Sequence, residues 1–189
     1  MVSRSRRRKS KETRKYREKR YEKHRRHNML YAEPGVHDFV IVLDHLKPAF
    51  NIGKIYRSAE AFGAKAVHLV GIQYFDTKAA KGSFKWVPTL FHENFESCYA
   101  TLAMEEYELN LLEPGAEDSL HTIGLAQKSA FIIGHEEFGV SFDRTLYEKI
   151  RSVKIEQLGR VDSLNVSIAA SIAMYEYCRQ HGAGPPPGL

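Results

Sequence analysis

Residues 38–72 read "DFVIVLDHLKPAFNIGKIYRSAEAFGAKAVHLVGI". The first piece, "DFVIVLDHL", is short, apolar and rich in β-branched residues, a pattern that predicts a strand. In "NIGKIYRSAEAFG", Ile52, Ile55, Ala59 and Phe62 recur at helical spacing, and Gly63 supplies a stop. "AKAVHLVGI" then repeats the strand pattern. Further along, "NFESCYATLAMEEY" predicts a helix capped by Asn94, and "ELNLLEPG" a strand and turn. "SAFIIGHEEFG" predicts a buried strand that ends in a glycine-bracketed loop, and "VKIEQL" a further strand at 153–155. An apolar helix closes the series, and residues 72–92 read as a long loop around "KGSFKWVP". Strands alternating with helices predict an α/β fold, a parallel sheet with helices on both faces.

Composition bounds the rest. The chain has 189 residues and 43% hydrophobic content, enough for one domain and a tail. It has no apolar run of eighteen residues, so no transmembrane helix is expected. The basic N-terminus is followed by no apolar h-region, so no secretory signal is expected. The two cysteines, Cys98 and Cys178, lack CxxC or His/Cys ligand spacing. That pattern fits a reducing, cytoplasmic setting and argues against a structural zinc site, so no metal is expected.

Charge divides unevenly. Residues 1–28 hold 14 Lys and Arg against 3 Glu, while the remainder holds 14 against 20 acidic residues. The basic segment has little to bury and is expected to be disordered or a marginal, solvated helix. Its charge density suits a polyanion through counterion release at phosphates. A boundary is therefore expected between a basic RNA-binding tail at 1–28 and a folded domain at 29–189.

Three polar clusters follow expected strand ends: Asp44 through Arg57, "GHEEFGVS" and "GRVDSLNVS". In parallel α/β sheets, ligands bind beyond the carboxyl ends of the strands. Helix N-termini placed there offer free N–H groups. One such cluster would be ordinary capping, but three at equivalent ends point to one shared pocket. No GxGxxG, phosphate loop or GxSxG elbow is present.

These segments resemble a known family. "NIGKIYRSAEAFGA", "IIGHEEFGVS" and "IEQLGRVDSLNVSIAASIAMYEYCRQ" are similar, in order and spacing, to the three motifs of the SpoU-type RNA 2′-O-methyltransferases of the SPOUT superfamily. The resemblance covers about residues 38–180 and is most specific in "SLNVSIA". It implies a C-terminal deep trefoil knot, an exception to the usual avoidance of threaded chains. It also implies a homodimer and S-adenosylmethionine as cofactor. Gly134, Ile155 and Leu164 match cofactor-binding positions, with the loop near Leu112 close by. Asn51, Arg57, Glu136, Ser163 and Asn165 match active-site positions.

The implied reaction is methyl transfer to a ribose 2′-hydroxyl of tRNA or rRNA. The length leaves no room for the separate N-terminal RNA-binding domain that many rRNA-directed members carry, so tRNA is expected over rRNA. Arg57 has two implied roles. A guanidinium holds its proton to above pH ~12, so a base role demands strong help; the other role is to bind the target phosphate and stabilise a developing alkoxide. Glu136 is expected to orient Arg57 through a bidentate pair. Asn51 has an ordinary reading as a cap of helix 51–62, and Ser163 or Asn165 as a cap of the last helix. Trp86 and Phe84 are candidates either to stack on a base or to fill the core.

The chain departs from the family pattern at His135, where Asn is usual, and at Glu156-Gln157, where Pro-Met is usual. The rival reading is a non-catalytic RNA-binding or ribosome-assembly protein that keeps the knotted fold.

Overall fold

A computed structural model describes residues 4–47, 50–161 and 163–182, with side chains from Arg14 onward. Seven parallel strands form one sheet: β1 (Phe39–Asp44), β2 (Ala66–Val70), β3 (Thr89–His92), β4 (Glu108–Leu112), β5 (Asp118–Ser119), β6 (Ser129–Ile133) and β7 (Ile150–Lys154). The spatial order is β3-β2-β1-β6-β4-β7-β5. Register is direct: Val40 faces Ala66 on one side and Ala130 on the other, and Leu109 faces Ile150.

Every residue of β1, β2 and β6 is buried, as a central parallel strand covered on both faces requires. Alternate residues of β1 serve opposite faces. Phe39, Ile41 and Leu43 pack towards α2 (Phe50–Ala61) and α4 (Val166–His181). Val40 and Val42 pack towards α3 (Phe95–Met104). Asn94 caps α3 as expected, its side chain accepting from the Ser97 amide at 2.9 Å. Ser58 of α2 and Ser171 of α4 share a hydrogen bond at 2.7 Å. Among the described residues, no helix is long and apolar enough to cross a membrane.

Three expectations change. The segment 72–92 is not one loop. A 3-10 turn at Ser83–Lys85 and the edge strand β3 lie within it, and β3 was obscured because half-exposed edge residues break the apolar run. The strand expected at 153–155 spans Ile150–Lys154 instead, because pairing with β4 runs from Leu109–Ile150 to Leu112–Val153. Ile155 is the first residue past its end.

The third change concerns the basic segment. Residues Arg4–Tyr31 form one helix, α1, so the boundary expected at residue 28 falls inside it. The physical reason is two side chains. Tyr21 is 2% exposed and stacks with Phe84 at 5.7 Å, while its hydroxyl donates to the Gln73 carbonyl at 2.7 Å. Burial pushes this phenol up to about 12. The buried Asn28 amide donates to the carbonyls of Phe84 and Val87. Arg20 adds an ion pair to Asp76. Phe84 is therefore core, whereas Trp86 is 48% exposed and meets the His27 ring edge-on.

Tyr21→Ala is expected to lower unfolding free energy by about 3 kcal/mol, the scale of an aromatic truncation in a core. Tyr16→Ala, at a residue 67% exposed, should stay within about 0.5 kcal/mol. Urea unfolding of the two variants measures the difference.

Candidate active site

The carboxyl ends of β4, β6 and β7 and the first turns of α4 enclose a cavity of about 320 Å³. Leu112, Ile133, Val153, Ile155, Leu164 and Val166 give it apolar walls. Glu113, Glu136, Gln157, Ser163 and Asn165 supply polar groups at its edge. The size and the mix suit a small organic ligand with an apolar body and a few polar anchors. One buried polar atom in this wall, Gln157 Oε1, has no partner, and a buried orphan acceptor suits a ligand donor.

Gly134 sits where backbones converge. A Cβ there would lie 2.5 Å from the Gly139 carbonyl carbon. The closeness comes from a small antiparallel bridge, in which His135 and Gly139 exchange both backbone hydrogen bonds. Gly139 closes that turn at φ 72°, a left-handed conformation that favours glycine. His135 keeps its ring inside the loop, where Nδ1 accepts from the Glu137 amide at 3.0 Å, and the ring stacks on Phe138. The loop is pinned to β1 by Asp44, whose carboxylate accepts from the Ser141 amide at 2.6 Å and the Ser141 hydroxyl at 2.8 Å.

Three side chains join at the cavity mouth. Asn51 Nδ2 donates to Glu136 Oε1 at 2.9 Å. Asn165 Nδ2 donates to Asn51 Oδ1 at 3.4 Å. Asn165 Oδ1 accepts from the amide and hydroxyl of Ser167, at 3.0 and 2.6 Å, capping α4. One amide thus caps a helix and ends a hydrogen-bonded chain to a carboxylate. Burial pushes the Glu136 carboxyl up, but the Asn51 amide and the backbone N–H groups of Glu136 and Lys47 outweigh it and hold the group below its ordinary value. Glu136 is therefore an anion and an acceptor at neutral pH.

Comparison with known proteins fits this geometry. The SpoU rRNA methylase family matches residues 38–175. The chain belongs to that family. It is 36% identical, over 75% of its length and 65% of the other's, to an uncharacterized tRNA/rRNA methyltransferase of Archaeoglobus fulgidus. It is 32% identical to the 23S rRNA (guanosine-2′-O-)-methyltransferase RlmB of Xylella fastidiosa, over 77% of this chain and 60% of that protein. The SpoU methyltransferase AviRb of Streptomyces viridochromogenes, solved with the cofactor AdoMet, superposes with a TM-score of 0.70 at 27% identity, covering 80% of this chain and 61% of that one. The chain thus spans less than two thirds of the length of these relatives.

Among the SpoU motif residues, Gly134, Ile155 and Leu164 line the cavity together with Glu136, Ser163 and Asn165. Asn51 joins them through Glu136. Arg57 does not. It lies six residues beyond Asn51 on α2, on another face of the helix, and is exposed. Among the described residues it forms no ion pair with Glu136, whose carboxylate is held by Asn51 instead. The expected bidentate pair is absent within this chain.

Glu113, Pro114 and Gln157 also line the cavity without having been singled out as site residues. The turn signal "EPG" after β4 and the departure at Gln157 were the available clues.

The dual role of Asn165 is separable. Asn165→Ala is expected to lower stability by about 1 kcal/mol, the scale of a lost cap. Asn165→Asp keeps the capping oxygen but lacks the donor to Asn51, so it should stay within a few tenths of a kcal/mol of wild type. Thermal unfolding of both variants distinguishes them.

Proposed function

We propose that this protein is an S-adenosylmethionine-dependent RNA 2′-O-ribose methyltransferase acting on tRNA or rRNA. The observation that carries the reading is the cavity itself, which gathers six motif residues from separate segments at the strands' carboxyl ends. AviRb binds AdoMet and RlmB of X. fastidiosa is a guanosine-2′-O-methyltransferase, and we carry both properties over to this chain. Bound in the cavity, the cofactor would supply an electrophilic methyl group on a sulfonium. Leu112, Ile133, Ile155 and Leu164 would exclude water from the apolar body, and Gln157 would accept one polar hydrogen.

The chain's own residues divide the remaining work. Ser163 and Asn165 lie where cavity and solvent meet and would hold the ribose in line with the methyl group. Glu136, kept ionised, would orient Asn51 and balance cationic charge nearby. Arg57 is free to hold a phosphate of the target and to stabilise charge developing on the ribose oxygen as its proton leaves. The separation of Arg57 from this chain's own cavity favours a site completed by a second copy of the chain. Ile168 and Tyr175, both exposed on one face of α4, fit an interface there.

The C-terminal knot belongs to the same reading. It is supported by the way residues 123–127 clasp the end of α4. Gln180 bonds to the Ile123 carbonyl and the Leu125 amide, Tyr177 donates to the Gln127 carbonyl, and His181 meets the Leu125 carbonyl.

Helix α1 fits an RNA-binding element. It climbs from the amino edge of the sheet at Asn28, bonded just before β3, to the carboxyl edge at Tyr21, bonded just past β2. Its backbone continues as helix to Arg4, roughly 25 Å further at 1.5 Å per residue, on the edge where the cavity opens. Lys15, Lys19, Lys23 and Arg26 form an exposed stripe along one face, with Glu18 and Glu22 interleaved and a net basic charge.

Two experiments test the reading. Wild type should transfer methyl groups to total tRNA or rRNA in vitro, and Arg57→Ala should reduce the rate by on the order of 100-fold or more; tight RNA binding with no transfer to any RNA would favour the non-catalytic rival. Replacing the four stripe residues by Gln should weaken RNA binding and reduce the slope of log K against log salt by about 0.9 for each phosphate no longer neutralised. This is preferable to deleting residues 1–28, which would also remove Tyr21 and Asn28 from the core.

A further inference from the structure

Away from the cavity, the opposite half of the sheet carries a second concentration of ligating side chains that the methyl-transfer reading does not use. His68 stands in the middle of β2 and is 3% exposed. His92 ends β3 and is half-buried. The register pairs His68 with Leu90 and Val70 with His92, so the two histidines sit on the same face of adjacent strands, one diagonal step apart. Cys98, in the first turns of α3, is fully buried against that face.

Three atoms converge there. His68 Nδ1 lies 3.0 Å from His92 Nε2 and 3.8 Å from Cys98 Sγ. All three ligating atoms lie within 4.8 Å of one another. Tetrahedral ligation at about 2.0 Å for nitrogen and about 2.3 Å for sulfur places such atoms roughly 3.3–3.6 Å apart. The observed triangle brackets those edges.

We propose that His68, His92 and Cys98 form a His₂Cys site for a borderline-soft divalent ion of the zinc class. Without an ion, two imidazoles are stacked in an apolar layer with one hydrogen bond between them and a weak thiol contact. With one, three lone pairs share a cation. Among the described residues no carboxylate completes the cluster, so calcium and magnesium, which require oxygen, are disfavoured. The half-buried side at His92 leaves an approach for the ion and for a solvent ligand in the fourth position.

Protonation favours the two imidazoles as ligands and opposes the thiolate, which the ion itself must stabilise. Burial, with a smaller contribution from His92, lowers His68 to about 3, so its ring is neutral at neutral pH. Burial also lowers His92. Burial, with a smaller contribution from the nearby Asp44 carboxylate, pushes the Cys98 thiol up to about 12. Binding would convert Cys98–SH and M²⁺ into a Cys98–S⁻–M²⁺ bond with release of one proton. The ion would staple the edge strand β3 and helix α3 to β2.

No metal is expected from the sequence, where ligand spacing is legible only within one short segment. These three ligands come from two strands and a helix.

Cobalt titration of the full chain, stripped with a chelator, tests the proposal. About one equivalent of Co²⁺ should bind with an intense thiolate-to-cobalt charge-transfer band, displaced by Zn²⁺, and Zn²⁺ should raise the thermal unfolding midpoint. Cys178→Ser should keep the band and Cys98→Ser should abolish it. His92→Ala should weaken Zn²⁺ binding by at least about 100-fold, since even outer-shell partners are worth 10–100-fold. Should Cys98→Ser fail to fold, judged by circular dichroism, the half-exposed His92 variant reads the same site. A wild type without the band, a band that survives Cys98→Ser, or Zn²⁺ affinity unchanged in His92→Ala would overturn the assignment.

Discussion

Asp44 is a carboxylate with 0% exposure, and among the described residues no Lys or Arg pairs with it. Burying such a group is costly unless its oxygens are occupied. Here they are. The Ser141 amide and hydroxyl and the His45 ring surround it at 2.6–2.8 Å. Charge-assisted bonds of this kind are about twice as strong as neutral ones, and removing their acceptor would strand them. The bonds fix where the loop after β6 turns back across β1. That turn sets the His135–Gly139 bridge, and the bridge aims Glu136 at Asn51 across the cavity mouth. The placement of the site therefore follows from one buried anion at the end of the central strand.

The sheet around it explains why distant segments meet. All the strands run the same way, so each carboxyl end releases a loop on one edge. Crossovers place β4 between β6 and β7, even though β5 and β6 separate β4 from β7 in the chain. The cavity is the gap where these three loops part around the start of α4. Apolar layers on both faces, one with α1, α2 and α4 and the other with α3, hold the strand ends rigid enough to keep Ile133, Val153 and Ile155 in one wall.

Much of this was legible from local pattern. The continuous apolar runs of β1, β2 and β6 have no other use than a doubly covered sheet, and Asn94 announced its helix. What escaped depended on long-range contact. β3 is an edge strand, and nothing in "TLFH" marks it apart from its neighbours. In α1, two residues, Tyr21 and Asn28, make the difference between a solvated tail and a docked helix, and a basic background hides them. Motif order singles out residues that the structure brings to the cavity mouth, but Arg57 lies on another face of α2 and the Glu136 carboxylate is held by Asn51 instead. The His68–His92–Cys98 triangle had no sequence signal, since its spacing exists only in the sheet register.

The clasped end of α4 has a consequence for the order in which the molecule comes into being. Ala170, Ala173, Met174 and Tyr177 complete the main apolar cluster, and the first turn of the same helix closes the cavity. This helix follows every strand in the chain, so it leaves the ribosome after them. A nascent chain can pair its strands while the floor of the cavity and one face of the sheet still lie open to water. The last turns of the helix then dock against residues 123–127 through Tyr177, Gln180 and His181. Closure of the cavity therefore waits for the last element of the chain to be synthesised, after every strand of the sheet has emerged.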